Sequence, residues 1–346
     1  MYALSLTLLR RELPPGGSLS CLQVVIIVSK AKRFSKMYFF NALPGAVAEG
    51  LIWGIMAIGV YISYKILDIA DLSVDGSICT GMCTCAMLIT AGVPAWVSVL
   101  IAFLAGALAG TVTGVLHSAL GIPAILAGIL TQLMLYSVNL TILGGKSLVQ
   151  ISAREYNLLL TMGDNPMAIV TTGIVIAATI IGLWLFFYTE IGLTLKSTGD
   201  NPDMSRAQGV DVKLNKVLGL AISNGVVALA GALLAQYKGS ANINEGRGAI
   251  VIGLAAIFIG LSVSLKIKPN FVVSLIGVVG GSVVYYVIYN AVILMGLKTD
   301  YLKMFSAIIV AIFLAVPYVK SEYFKKKRPI KRIERQQLSV GGDEDA

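Results

Sequence analysis

"LKSTGDNPDMSRAQGVDVKLNK" runs from Leu195 to Lys216, with apolar stretches on both sides. The chain around it is 57% hydrophobic and 13% charged, against about 25% charged in an ordinary soluble domain. Its mean hydropathy is +0.84. Long unbroken apolar runs, rather than the short alternating segments of a barrel, indicate helices in a bilayer. The fold expected is an all-α, polytopic membrane helix bundle. One polar, helix-compatible segment kept in the middle of such a chain calls for a reason, and a partner that reads it supplies one.

Spanning a bilayer takes about 20 apolar residues in a helix. Candidate spans are Leu43–Tyr64, Leu72–Ala91, Ala95–Leu116, Pro123–Leu143, Met167–Tyr188, Leu218–Tyr237, Ala249–Leu265, Phe271–Leu294 and Leu302–Val319. Together they make a transmembrane domain over residues 37–319 of about 8–10 transmembrane or re-entrant helices. Residues 1–36 offer too short an apolar core to span, and Met37 reads as a natural start, so a non-native or disordered extension is expected there. The tail, residues 320–346, is basic; Lys325, Lys326, Lys327, Arg328, Lys331 and Arg332 follow the last apolar run. The net charge of +9 is therefore read as a cytoplasmic anchor obeying the positive-inside rule, not as a nucleic-acid surface.

Counting back from that tail puts Lys196, Arg206, Lys213 and Lys216 inside and Gly145–Pro166 outside. Counting forward from an inside start puts Gly145–Pro166 inside. One early segment is therefore expected to be re-entrant. The first suspect is Gly121–Leu140, with Gly128, Thr131 and Gln132 at its middle; the second is the stretch opening "DIADLSVDGS" at Asp68. An internal repeat is suggested by the pairs Asp75-Gly76 and Glu245-Gly246, each ahead of a run rich in small residues, and by Gly121 and Gly296 after the next segments.

Cys79, Cys83 and Cys85 lie in an apolar run far from His117, the one histidine, and read as small packing residues, so no metal and no cofactor is expected. The spans are expected to hold essentially no acid or base, which weighs against a stand-alone secondary carrier or channel. Neither a hydrolase motif nor a Walker A sequence is present, so the chain is expected not to be an enzyme. Gln132, Asn139, Asn224 and Gln236 could line a pathway for a neutral or zwitterionic solute, although such residues also serve as contacts between helices.

Within the opening segment, Gly199-Asp200-Asn201-Pro202 reads as a turn and helix start, with Asp200 or Asn201 as N-cap and Pro202 in the first position. Two helical turns follow, closed by Gly209. A soluble partner can grip such a helix in a groove.

Leu195–Gly260, together with "GIPAILAGILTQLMLYSVNLTILGGKS" and "ILDIADLSVDGSICTGM", resembles permease subunits of bacterial ATP-binding cassette importers. The superfamily is that of the branched-chain amino acid and ribose permeases, and the closer likeness is to a subgroup associated with tryptophan and tyrosine uptake. The resemblance covers roughly Pro44–Pro317. It implies that Thr198–Val210 is a coupling helix and that Gly199, Asp200, Asn201, Met204, Arg206, Ala207 and Gly209 face an ATPase. It also implies a cytoplasmic ATP-binding subunit, an extracellular solute-binding protein, a second permease copy and a multi-pass place in the bacterial cell membrane. After "IFIG" the chain departs from the subgroup, with Leu261 where a glutamate is usual.

Overall fold

A computed structural model describes residues 42–152, 154–264 and 270–294, with 304, 307, 308, 310 and 311. The expected extension 1–36, the tail 320–346, Gly296 and most of Leu302–Val319 lie outside the described residues.

The helices are α1 (Ala42–Ile66), α2 (Val74–Thr90), α3 (Ala95–Ser118), α4 (Ala124–Ile142), α5 (Asn165–Tyr188), α6 (Glu190–Asp200), α7 (Pro202–Ala207), α8 (Val212–Lys238), α9 (Ala249–Ser264) and α10 (Phe271–Leu294). Six are long and apolar enough to cross a membrane: α1, α3, α4, α5, α8 and α10. Helices α2 and α9, at 17 and 16 residues, are shorter. At about 1.5 Å per residue each falls short of a hydrocarbon core of about 30 Å. This is the all-α membrane bundle expected from composition.

Helix α8 is the hub. Its middle is wholly buried, from Ser223 through Tyr237 apart from Leu229. Glycines allow its neighbours to close on it. A Cβ on Gly106 or Gly110 of α3 would lie 2.2 Å from α8 atoms, and one on Gly114 would lie 2.7 Å away. The four-residue spacing puts all three on one face, so α3 meets the α8 backbone directly. Gly81 of α2 does the same against the Ala228 carbonyl at 2.0 Å. No hydrophobic force distinguishes helix from lipid here, so this close dispersion contact is what holds the bundle.

Contacts set the directions. Along α3, Gly106, Gly110 and Gly114 meet Ala228, Leu220 and Val217, so α3 is antiparallel to α8. Along α1, Gly59 meets Ser223 and Val227 near one end, while Gly45 meets Tyr237 at the other, so α1 is antiparallel to α8 as well. Gly50 and Gly54 of α1 meet Val283 and Val279, so α10 is antiparallel to α1. The Lys/Arg-rich segment around α7 marks the inner end; α1 therefore enters from the outer end and leaves at the inner.

The repeat is present and inverted. Helices that start at residues 42, 74 and 95 recur as helices that start at 212, 249 and 271, running the opposite way. In each half a long helix is followed by a connection that climbs back into the bundle and a short helix that starts there. The sequence echo found the right neighbourhood in the wrong register: Asp75 sits in the first turn of α2, whereas Glu245 precedes α9. The two still meet, since a Cβ on Gly246 would lie 2.1 Å from the Asp75 carbonyl.

Two expectations are corrected. Gly121–Leu140 is not re-entrant, because α4 is continuous from Ala124 to Ile142. Thr131 is satisfied by the Ala127 carbonyl at 3.0 Å and by Thr113 at 3.0 Å, and Gly128 exists to let the Leu72 amide approach, 2.7 Å from a would-be Cβ. The second suspect is not re-entrant either: residues 67–73 turn inward after α1, with Asp68 in the left-handed region at φ 56, a conformation Asp tolerates better than most residues, and α2 carries the chain on to the outer end, where α3 starts. The forward count failed because it began inside, whereas α1 begins at the outer end. Outside the helices, β1 (Leu148–Gln150) and β2 (Ser240–Asn242) pair antiparallel, with Val149 opposite Ala241.

Candidate functional site

The inner end is built around α7. Helix α6 ends at Asp200, and Asn201, extended at φ −154, breaks the chain direction. The Asn201 side chain accepts from the Met204 amide at 3.0 Å and caps α7, and Pro202 takes the first helical position, as expected. Asp200 is the last residue of α6 rather than a cap. Gly209 follows at φ +82 with open space around it, the left-handed closure a glycine provides. Asp211 then caps α8 by accepting from the Lys213 and Leu214 amides at 2.9 and 3.2 Å. The polar segment is thus three helices in succession, where the sequence suggested one.

One face of α7 is tied to the bundle and the other is free. Ser205 is buried and donates to Ser197 and to the Asn201 carbonyl, at 3.2 and 3.0 Å. Met204 is 60% exposed, and Arg206 and Ala207 are exposed. Arg206 pairs with Asp203 at 3.1 Å, both in solvent, so the pair contributes little to stability. Gly199 is the anchor beneath: a Cβ there would lie 1.8 Å from the Ile66 carbonyl at the end of α1. Thr198 accepts from Asn215 of α8 at 3.1 Å. A push on α7 therefore passes through the end of α6 to Ile66 and Leu67 by backbone contact and to α8 by the Thr198–Asn215 hydrogen bond.

Beyond that connection lies a buried polar cluster. Asp71 is 2% exposed. One of its carboxylate oxygens accepts from the Ser73 amide and hydroxyl, at 2.8 and 2.6 Å. The other accepts from Asn224 of α8 at 2.7 Å. Asp75 sits nearby on α2 and accepts from the Gly248 and Ile250 amides at 2.8 and 2.9 Å, capping α9. The starts of both short helices thus converge, each with a carboxylate at its positive end. The expectation that the spans hold essentially no charge is corrected on this point: Glu49 in α1 and Asp75 in α2 lie within helices, and Asp71 is buried beside them. Each has hydrogen-bonding or ionic partners, which is what makes an acid tolerable at depth.

Three of the four amides singled out from sequence make hydrogen bonds between segments. Asn224 is taken up by Asp71 and by the Leu220 carbonyl at 3.1 Å. Gln236 accepts from the Leu159 amide at 3.0 Å and is fully buried. Asn139 donates to the Gly76 carbonyl at 3.4 Å, and its Oδ1 is buried without a partner among the described residues. Gln132 is half-buried on the same helix. Cys79, Cys83 and Cys85 are buried and free, and the Cys79 Sγ meets the Ile243 carbonyl and Gly246 amide at 3.2 Å.

At the outer end, Lys238 lies between two carboxylates, 3.3 Å from Glu49 and in contact with Glu245. Glu49 lines a cavity of about 260 Å³ with Gly45, Asn165, Tyr237 and Asn290. The sequence reading held Asp71 only as part of the stretch from Asp68 and missed Glu49 and Lys238, whose only local signal is an ionisable residue within or beside an apolar run.

Compared with known proteins, the chain is 40% identical over 276 residues to the "Tyrosine transport system permease protein" of Clostridioides difficile (strain R20291), covering 80% of this chain and 91% of that one. It is 32% identical over 284 residues to "Uncharacterized protein RP368" of Rickettsia prowazekii (strain Madrid E), covering 82% and 99%. No solved structure matches at the same stringency. Residues 45–317 match the family described as "Branched-chain amino acid transport system / permease component". With six helices fit to span and that match over most of its length, the chain is a multi-pass membrane protein and belongs to this family of transport-system permeases.

Proposed function

We propose that the chain is the pathway-forming permease of an ATP-binding cassette importer for amino acids in the bacterial cell membrane. In this reading α7 is the coupling helix. The observation that carries it is the construction of α7: capped at both ends, tied on one face to the end of α6, which itself meets α1 and α8, and exposed on the other at Met204, Arg206 and Ala207. A groove in a cytoplasmic ATP-binding subunit would take that free face, with Gly199, Asp200, Asn201 and Gly209 setting its angle. Closure of the ATPase would then move α1 and α8 as rigid bodies. A second permease copy would cover part of the apolar surface of α3 and α4, where Leu104, Leu108, Leu133 and Met134 are exposed. A solute-binding protein would dock at the outer end. The tyrosine transport named for the C. difficile relative supports an aromatic amino acid as cargo.

Co-purification tests this. The tagged protein, extracted in mild detergent from its native membranes, is expected to bring an ATPase subunit with it. Arg206→Glu should lose that subunit while remaining folded and inserted. Absence of any ATPase from the wild type under several detergents would overturn the reading. A second reading, a proton-coupled secondary carrier, is favoured by Asp71. It ranks behind because both Asp71 oxygens are already engaged by fixed donors. Transport that needs a proton gradient and no ATP would bring it forward.

A further inference from the structure

We propose that the outer cavity between α1, α5, α8 and α10 is the receiving site for the ammonium group of the transported amino acid, with Glu49 as its acceptor. This rests on the amino-acid reading above. Ala42, Gly45 and Glu49 line the cavity from α1, and their spacing puts them on one helix face. At about 260 Å³ the space is at the small end for a ligand pocket, which suits a single amino acid.

Charge selects the ligand. Lys238 is shared by Glu49 and Glu245, so two carboxylates face one ammonium and a net negative charge remains. These groups are only 25–30% exposed, so water screens that charge weakly. Lys238 engages Oε1 of Glu49, and Oε2 has no partner among the described residues. A second ammonium at Oε2 would complete the balance. The Tyr237 hydroxyl donates to Asn165 Oδ1 at 3.1 Å. That contact fixes the amide and leaves Asn165 Nδ2, which has no partner among the described residues, to donate to the solute carboxylate. Beyond Glu49 on the same face of α1, Trp53 stacks on Tyr286 at 5.7 Å, and Tyr286 meets Tyr289 at 5.8 Å. An aromatic bed next to a carboxylate suits an ammonium carried on an apolar or aromatic side chain. The site faces the outer end, where an importer receives its cargo.

The test uses the full chain in lipid nanodiscs and the twenty common amino acids as thermal stabilisers. At least one with an apolar or aromatic side chain is expected to raise the melting temperature of the wild type. Its decarboxylated amine should act at higher concentration, and its deaminated acid should not act. Glu49→Gln keeps the shape of the side chain and should weaken the response roughly ten- to hundredfold, the worth of a hydrogen bond to a charged group. Glu245→Gln leaves Glu49 alone against Lys238, removes the surplus negative charge, and should weaken the response as well. Gly45→Met offers a second route. A Cβ on Gly45 meets its neighbours at an ordinary 3.7 Å, so the fold accepts it while the longer side chain fills the cavity. It should abolish the response without lowering the ligand-free melting temperature. If an amino acid stabilises wild type and Glu49→Gln alike, the site is refuted and the amino-acid reading survives. If none stabilises the wild type, the amino-acid reading fails and the site falls with it.

Discussion

Replacing Asp71 tests whether the buried cluster holds residues 67–73 against α8. In Asp71→Ala, three donors lose their carboxylate: the Ser73 amide, the Ser73 hydroxyl and Asn224 Nδ2. The hydroxyl retains Asn224 Oδ1 at 3.2 Å, and the amide of Asn224 retains the Leu220 carbonyl. The Ser73 amide retains nothing. One donor orphaned outright and two weakened, at about 1–3 kcal/mol for each buried group left short, give a loss of about 3–5 kcal/mol. Asp71→Asn should cost about 1–3 kcal/mol, because its new amide faces the amide of Asn224, donor against donor. The exchange Asp71→Asn with Asn224→Asp restores acceptor opposite donor and should recover part of that loss. Reversible unfolding in mixed micelles, followed by fluorescence of the buried Trp53, would measure these four proteins and Asn224→Asp alone, which completes the cycle. An Asp71→Ala variant within about 0.5 kcal/mol of wild type would refute the reasoning, as would an exchange showing no coupling between the two sites.

Glycines give sharper contrasts. Gly199→Ala places a Cβ 1.8 Å from the Ile66 carbonyl; it should displace α7, cost about 1–3 kcal/mol, and reduce ATPase co-purification. Gly209→Ala meets nothing but carries φ +82, so about 1 kcal/mol of backbone strain is expected, with α7 still in place by limited proteolysis. Gly110→Leu drives a side chain into the Leu220 carbonyl, 2.2 Å from the Cβ alone, and should abolish monodisperse elution in size-exclusion chromatography. Gly173→Leu on α5 meets nothing within 4 Å and should elute as wild type.

Hydropathy located the six long spans to within about six residues and took α2 and α9, which are too short to cross, for spans as well. The cap at Asn201 and the closure at Gly209 were also legible, since both are local chemistry. What escaped is non-local. Asp71 is neutralised by Asn224, 153 positions away, and nothing near either residue announces the pair. Gly128 in α4 read as a weak point in a helix because its use, admitting the Leu72 backbone, belongs to another segment. Helix α6 was hidden for a related reason. Glu190–Asp200 is only weakly apolar, and its burial at Gly192, Leu195 and Thr198 comes from neighbours the segment itself does not name. Of the residues proposed to dock an ATPase, those defined by turn chemistry stood out, and Gly199 did so without its reason, contact with the end of α1.

The small ribbon of β1 and β2 has a mechanical consequence. The chain joins its two inverted halves covalently through α5, α6 and α7. The ribbon joins them again at the outer end, with Val149 paired to Ala241 and the Ile151 amide donating to the Gly239 carbonyl at 2.8 Å. The ribbon thus acts as a clasp at the outer end: it fastens the connection between the halves to the end of α8, whose middle is already locked against α1, α2 and α3.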